Sequence, residues 1–294
     1  MKRIIIPAIA ALTLASCGSK DNATCNGATA DESINVMSFN IRYDNPDDSL
    51  DNWQYRKDRA ASAIKFYQAD IVGTQEVLAN QLADLKERLP EYTAIGVGRD
   101  DGKEDGEFNA LFFRTSRFEP LESGTFWLSE TPDSAGSLGW DGACNRVATW
   151  ARLKDRATGK TLLALNTHLD HVGKVARYEG ISLIFNKINE LSQGAPVVVT
   201  GDFNSTPESD VVKHVTNADD PNHLNDARQL AGIVYGPKWS FHDFGGIPYE
   251  HRPLIDYVFV RGDLTVDRYG VLAETENEGF LSDHAPVLVT VTLD

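Results

Sequence analysis

The sequence predicts one mixed α/β domain over residues 33–294, and three observations lead there. Short apolar runs of strand length alternate with stretches whose apolar residues recur at helical spacing. Many of the strand-like runs are separated by turn residues alone, which implies hairpins and rules out a purely parallel sheet. No repeat of fixed short period and no internal linker divides the chain, and 294 residues suffice for a single large α/β domain.

The elements follow in order. "MKRIIIPAIAALTLASC" has a basic start at Lys2 and Arg3, an apolar run from Ile4 to Ala15, and small residues before Cys17. It reads as an export leader, residues 1–17, too short to span a bilayer stably. Leu14-Ala15-Ser16-Cys17 has the form of a lipobox, so Cys17 is expected to carry lipid and anchor the chain to a membrane on the periplasmic face or cell surface. Residues 18–32, polar and small, read as a flexible tether. Strands are expected at "INVMSFNIR" (34–42), "DIVGTQEV" (70–77), "YTAIGVG", "NALFFR", "ATWARLK", "TLLALNTHLD", "PVVVTGDFN", "LIDYVFVRG", "LTVDRYGVLAE" and "APVLVTVTL". Helices are expected at "AASAIKFYQA" (60–69) with a start region at Asp48–Asn52, at "ANQLADLKERL" (79–89) with Leu82, Leu85 and Leu89 on one face, and at "VARYEGISLIFNKINEL". The Gly- and Trp-bearing segment 124–145 reads as loop.

Charge narrows the function. The net charge is −15, and removal of Lys2 and Arg3 with the leader leaves 26 basic against 43 acidic residues, a net −17. Such a surface repels long polyanions, because nucleic-acid affinity comes largely from Lys and Arg neutralising phosphates. The densest basic cluster is only "YRKDR" at 55–59. After Cys17, Cys25 and Cys144 remain; they form no disulfide framework and show no metal-site spacing.

GDFN at 201–204 follows the buried-looking run "APVVVT". While a strand lasts, positions i and i+2 share a face, which would aim Asp202 and Asn204 the same way with Phe203 turned back. Gly, Asp, Asn, Ser and Pro are equally turn formers, and "STPES" comes next. What favours a site is recurrence. Apolar runs end at Asn40, at Glu76, at Asn166 with His168, and at Asp202 with Asn204, while Asp256 and the pair Asp283–His284 repeat the vocabulary. Carboxylates, carboxamides and histidines without thiolates suit a hard divalent cation such as Mg²⁺, with Mn²⁺ as a substitute. Glu76, with Asn40 and Asp283, would meet that need. Asp202 would orient and deprotonate a water, and Asn204 would donate to a phosphoryl oxygen. His284, paired with Asp256, would be fixed in one tautomer.

"SFNIR", "TQEV", "NTHLDH", "GDFN", "IDYVFV" and "SDHAPV", in that order from about Ile34 to the C-terminus, resemble the endonuclease/exonuclease/phosphatase superfamily of Mg²⁺-dependent, DNase I-like phosphohydrolases. The resemblance implies a four-layer α/β/β/α sandwich of two packed mixed β-sheets, with the site at one end. It assigns Asn40, Glu76 and Asp283 to metal, His168 to the reacting phosphoryl group, Asp202 and Asn204 to water and phosphate, and Asp256–His284 to the opposite side of the cleft. "GVGRDDG", "GTFWLSETPD", "GWD", "RVATWARL" and "NTHLDHVGKVAR" resemble a bacterial, mostly secreted branch. Arg42 stands where AP endonucleases carry an acidic residue, which argues against abasic-site repair.

Substrate contacts are expected at Asn109, Arg146, Asn166, His171 and Trp140, the last as part of an aromatic wall with Trp53 and Trp127, although Trp127 reads equally well as a buried anchor under the loops. Asp170 is expected to brace its loop, and His214, His223, His242 and His251 to lie at the surface, with Phe241–His242 near the cleft. The reading is an exported phosphodiesterase or phosphatase acting on a small, sugar- or lipid-linked phosphoester. A secreted nuclease and a non-catalytic phospho-ligand-binding surface lipoprotein are the alternatives.

Overall fold

A computed structural model of the protein describes residues 32–276 and 279–294. The leader with its lipobox, Cys25 and all but the last residue of the expected tether lie outside the described residues. The chain runs β1 (Ser33–Asn40), α1 (Trp53–Phe66), β2 (Ile71–Gln75), α2 (Ala79–Arg88), β3 (Tyr92–Ile95), β4 (Leu111–Arg114) and β5 (Phe118–Trp127). Then come β6 (Val147–Asp155), β7 (Thr161–His168), α3 (Lys174–Leu191), β8 (Val197–Asp202), α4 (Asp210–Val215), β9 (Asn225–Asp226), α5 (Ala227–Leu230) and β10 (Ile233–Tyr235). The last elements are β11 (Asp256–Arg261), β12 (Leu264–Val271), the hairpin β13 (Thr275–Glu276) and β14 (Gly279–Phe280), and β15 (Val287–Leu293).

Two mixed sheets result, one of seven strands in the order β10-β12-β15-β1-β2-β4-β3 and one of six in the order β5-β6-β7-β8-β11-β9. Strand periodicity sorts side chains between layers. In β1, Ile34 and Val36 enter the core between the sheets, whereas Met37 and Phe39 pack with Ile64 of α1 and Leu85 of α2. In β8, Val198 faces the inter-sheet core while Val197 and Val199 pack with Ile181 and Phe185 of α3. The four layers are therefore α/β/β/α. The sheets approach closely at Gly73 of β2, where a Cβ would stand 2.0 Å from Thr200 Oγ1 and 2.5 Å from Asn166 Oδ1.

Helix starts follow local chemistry. The Asn52 side chain accepts from Gln54 N and caps α1, so the helix starts from the expected Asp48–Asn52 region and runs through "AASAIKF". Asp141 caps α3 from a distance, Oδ1 accepting from Ala176 N at 2.7 Å. The segment expected as loop loses its first residues to β5, an edge strand paired only with β6. The middle of β5 is exposed, so it lacks the alternating apolar signature.

Candidate active site

The site continues the inter-sheet rows outward at one end of the sandwich. Ile34-Val36-Ser38-Asn40, Leu162-Ala164-Asn166-His168 and Val198-Thr200-Asp202 are alternate positions on three strands, apolar within and polar at the C-terminal end. Strand register aligns their ends. His168 pairs with Asp202 across β7–β8, and Asp202 with Asp256 across β8–β11, so three ionisable residues stand side by side on one sheet edge. From the facing sheet come Asn40 and, just past β2, Glu76.

Asp202 is the hub. Its Oδ2 lies 3.0 Å from Asn40 Nδ2, 3.5 Å from His168 Nε2 and 3.8 Å from His284 Nε2. Asn40 Nδ2 also donates to Glu76 Oε1 at 2.9 Å, while Asn40 Oδ1 accepts from Arg42 N at 3.0 Å. The latter bond fixes the amide orientation. Asn40 thus aims donors at two carboxylates and orients them, while its oxygen, with one lone pair on Arg42 N, keeps a second. His284 Nδ1 lies 2.8 Å from Asp256 Oδ2. Burial works against a proton on His284, but Asp256 overrides it and holds the imidazole well above its ordinary range. Burial and Asp256 push Asp202 up to about 7, against the pull of His284. His168 is driven the other way, by burial and then by Arg146 and Arg99, and is neutral. Neutrality agrees with its Nε2 accepting from Asn204 Nδ2 at 2.9 Å.

GDFN proves to be both strand end and turn. β8 stops at Asp202, Asn204 takes a left-handed φ of 46°, and Asn204 N closes onto Asp202 Oδ1 at 2.8 Å. The second amide hydrogen of Asn204 goes to Leu169 O at 3.0 Å. Both hydrogens are thereby engaged within the protein, so donation to a phosphoryl oxygen would require this amide to turn.

Single oxygen or nitrogen atoms of Glu76, Asp202 and His284 lie within 4.8 Å of one another. Glu76 adds repulsion at both Asp202 and Asp283, and burial pushes Asp283 upward. A buried, mutually repelling carboxylate cluster is the donor set that a hard divalent cation neutralises, so these residues fit one. A second group, Cys144, Asp170 and His171, also lies within 4.8 Å. Both Asp170 oxygens are occupied there by backbone N–H groups of Ala143, Cys144, Val172 and Gly173, at 2.6–3.3 Å. Asp170 braces its loop.

The cleft over these residues has a volume of about 370 Å³. Of the expected substrate residues, Arg146 and His171 line it, joined by an Arg146 Nη2–His171 Nδ1 contact of 3.2 Å. Three others do not. Asn166 is wholly buried beneath the cleft, donating to Thr74 O (2.8 Å) and Ala110 O (3.1 Å) and accepting from Gln75 Nε2 (2.6 Å) and Thr200 Oγ1 (3.1 Å). Asn109 is buried, its amide committed to Val147 O at 2.6 Å. Trp140, at φ 45°, is not among the residues lining the cleft, and the next residue, Asp141, caps α3. Trp53 and Trp127 are buried anchors whose indole N–H groups bond Asp84 and Arg99 O, not an aromatic wall. His242 is buried as well; burial lowers it to about 4, while Phe241 beside it lines the cleft with its ring centroid 4.7 Å from that of His284.

Arg99, Glu107 and Tyr43 also line the cleft, and the sequence reading missed them as site residues. The cue for the first two was the charged, Gly-rich run "GRDDGKEDGE", whose ends must meet if it folds as a tight loop.

The family model for the Endonuclease/Exonuclease/phosphatase family matches residues 37–284. A crystal structure of an endonuclease/exonuclease/phosphatase from Bacteroides vulgatus is 50% identical, with a TM-score of 0.87 over 89% of this chain and 99% of that one. The Bacteroides thetaiotaomicron mannosyl-6-phosphatase is 38% identical, with a TM-score of 0.83 over 88% of this chain and 100% of that one. The CCR4-Not complex 3'-5'-exoribonuclease subunit Ccr4 of Mycosarcoma maydis is 24% identical over 89% of this chain and 50% of its own. The chain spans about half the length of the curated relatives it matches. The match over residues 37–284 and the strand-end cluster converge on one conclusion: the chain belongs to the endonuclease/exonuclease/phosphatase family of phosphoric ester hydrolases.

Proposed function

We propose that this chain is an exported, Mg²⁺-dependent phosphohydrolase acting on a small, sugar- or lipid-linked phosphoester, with Mn²⁺ able to substitute. The observation that carries this reading is the convergence of Glu76, Asp202 and His284 within 4.8 Å in a compact cleft that Arg146 also lines. A phosphoester needs a proton acceptor for water on one side and positive charge around the phosphoryl oxygens on the other. The acidic surface supports a small substrate over a polymer. The name of the mannosyl-6-phosphatase neighbour supports a sugar phosphate. Export and a lipid anchor at Cys17 are supported by the order of charge, apolar run and small residues in the leader.

Glu76 and Asp283, with the oxygen of Asn40, would hold the ion, which when bound neutralises charge on the phosphoryl oxygens. The protein supplies the rest. Asn40 holds the Glu76 and Asp202 carboxylates in fixed orientation. Asp202 accepts the proton of the attacking water. His284, kept protonated by Asp256, presents Nε2–H to a phosphoryl oxygen. Neutral His168 steadies Asn204 and with it the turn that positions Asp202.

The test compares an aryl phosphomonoester with a bis-aryl diester, each with Mg²⁺ and with chelator, using protein that begins after Cys25. Chelator-sensitive cleavage of either supports the reading, and silence on both overturns it. The exoribonuclease name of the Ccr4 relative favours nucleic acid as a second reading. That reading predicts RNA or DNA cleavage weakening steeply with salt.

A further inference from the structure

We propose that Glu107 and Arg99 form a leaving-group subsite that grips the hydroxyls of a polyol, so that the substrate is a sugar phosphate; this rests on the phosphohydrolase reading. Both side chains line the same cleft as Asp202 and His284, and they are paired, Arg99 Nη1 to Glu107 Oε2 at 2.7 Å. A carboxylate in the wall of a cleft built for phosphate is costly, since it repels the substrate's own charge. Burial already pushes Glu107 upward against the pull of Arg99. Glu76 adds to that push, and Glu107 stands outside the Glu76–Asp202–His284 cluster, so that cluster does not account for it.

Loop closure does not account for it either. The loop is held by its backbone: Arg99 N to Glu107 O (3.1 Å), Asp100 N to Asp105 O (3.1 Å) and Gly98 N to Lys103 O (2.9 Å). Trp127 Nε1 adds a bond to Arg99 O at 2.7 Å, and Asn145 Nδ2 one to Asp100 Oδ1 at 3.0 Å. Gly106, at φ 80°, lets the loop turn this tightly, for a Cβ there would lie 2.5 Å from Asp100 Oδ2. The result is a rigid platform presenting one acceptor and one donor side by side. Among the described residues Arg99 is the sole side-chain partner of Glu107, which leaves Oε1 as an acceptor. A guanidinium next to a carboxylate matches two neighbouring hydroxyls, one accepting and one donating. An aryl or alkyl leaving group gains nothing from such a pair.

The experiment measures kcat/KM of wild type, Glu107→Gln and Arg99→Lys on mannose 6-phosphate and on 4-nitrophenyl phosphate, with a Mg²⁺ titration and a melting curve for each. The expected result is a loss of about 10- to 100-fold on mannose 6-phosphate for both variants, the size of one or two charge-assisted hydrogen bonds. Turnover of the aryl ester and the Mg²⁺ midpoint should stay within about twofold of wild type. Equal losses on both substrates, or a shifted Mg²⁺ midpoint, would place Glu107 in the reacting centre and overturn the subsite. Undiminished mannose 6-phosphate turnover in both variants would overturn it too. If one variant fails to fold, the other decides. Wild type inactive on both esters would instead strike the phosphohydrolase reading itself.

Discussion

Asn166→Ala separates a structural from a substrate-binding role, because the two assign its cost to different measurements. Asn166 sits two positions before His168 on the inter-sheet face, fully buried, and its amide spans the sheets through four hydrogen bonds. Truncation removes all four, but not every partner is orphaned. Ala110 O keeps Thr74 N at 2.8 Å and Thr74 Oγ1 at 3.0 Å, and Thr200 Oγ1 keeps Leu165 O at 3.3 Å. Gln75 Nε2 loses its shortest bond, at about 1 kcal/mol, but keeps Gly73 O at 3.2 Å and Ser38 Oγ at 3.4 Å. Thr74 O bears the main penalty, about 1–3 kcal/mol for a buried group that loses its Asn166 donor, and a total of about 2–4 kcal/mol follows. With a urea m-value of about 3 kcal/mol/M for a domain this size, the midpoint should fall by about 1 M. The melt is run in chelator, so that linkage to bound metal does not hide the loss. Below the transition, KM for a phosphomonoester should change less than about threefold. A midpoint within about 0.2 M of wild type together with a tenfold higher KM would refute the assignment and return Asn166 to the substrate.

Asp256→Asn should cut kcat by about 100-fold or more, and the high-pH limb of its rate profile should move to lower pH. The sign follows from Asp256 holding the proton on His284 against burial: without it the folded pKa falls, and the imidazolium is lost sooner as pH rises. An unmoved limb would show that another group sets it. Chelation should abolish turnover and lower the melting temperature, both restored by Mg²⁺; activity indifferent to chelator would remove the cation from the site. Asp170→Asn should destabilise by about 2 kcal/mol, read by denaturant melts at neutral pH, because its carboxylate accepts from four backbone N–H groups. Burial raises Asp170, but the bonds from Gly173 and Val172 prevail and lower it. Its stabilisation is therefore complete above the unfolded value of about 3.9 and lost as pH falls through the lower folded value, so wild type and variant should converge in acid.

Much of the fold and the candidate site was legible because one rule serves both. Alternation along β1, β7 and β8 places apolar residues between the sheets, and the same alternation continued one or two steps further puts Asn40, His168 and Asp202 at the rim. The rule also locates Asn166. It shares a face with Ala164 but lies one step inside the rim, and a count along the strand distinguishes it from His168 where polarity alone does not. The Arg99–Glu107 pair escaped for the opposite reason. It lies on a loop, where no periodicity assigns a face, and charged residues between glycines read as a solvated turn. Trp140 escaped through its backbone: a left-handed φ at a tryptophan is unusual enough that residue type gives no notice of it.

The strand ends also explain how apolar strands can deliver carboxylates without carrying them on into solvent. Arg42 (φ 57°), Glu76 (φ 61°) and Asn204 (φ 46°) all adopt left-handed backbone, a conformation costing about 1–2 kcal/mol for a residue with a Cβ. Two of the three belong to the same closure. Arg42 N bonds Asn40 Oδ1 at 3.0 Å and Asn204 N bonds Asp202 Oδ1 at 2.8 Å, each two residues after its acceptor. Each closure uses one side-chain atom to bend the chain away and leaves the other, Asn40 Nδ2 or Asp202 Oδ2, directed at the partner sheet, where the two meet at 3.0 Å. The first turn also sets Tyr43 N on Glu76 Oε2 at 3.1 Å, coupling the third strained residue to it. Buried Arg56 secures the bend from below, bonding Ile41 O at 2.6 Å and Arg42 O at 3.3 Å. The turn-forming and site-forming properties of Asn and Asp are thus used at once: the atom that ends the strand fixes the atom that does the chemistry.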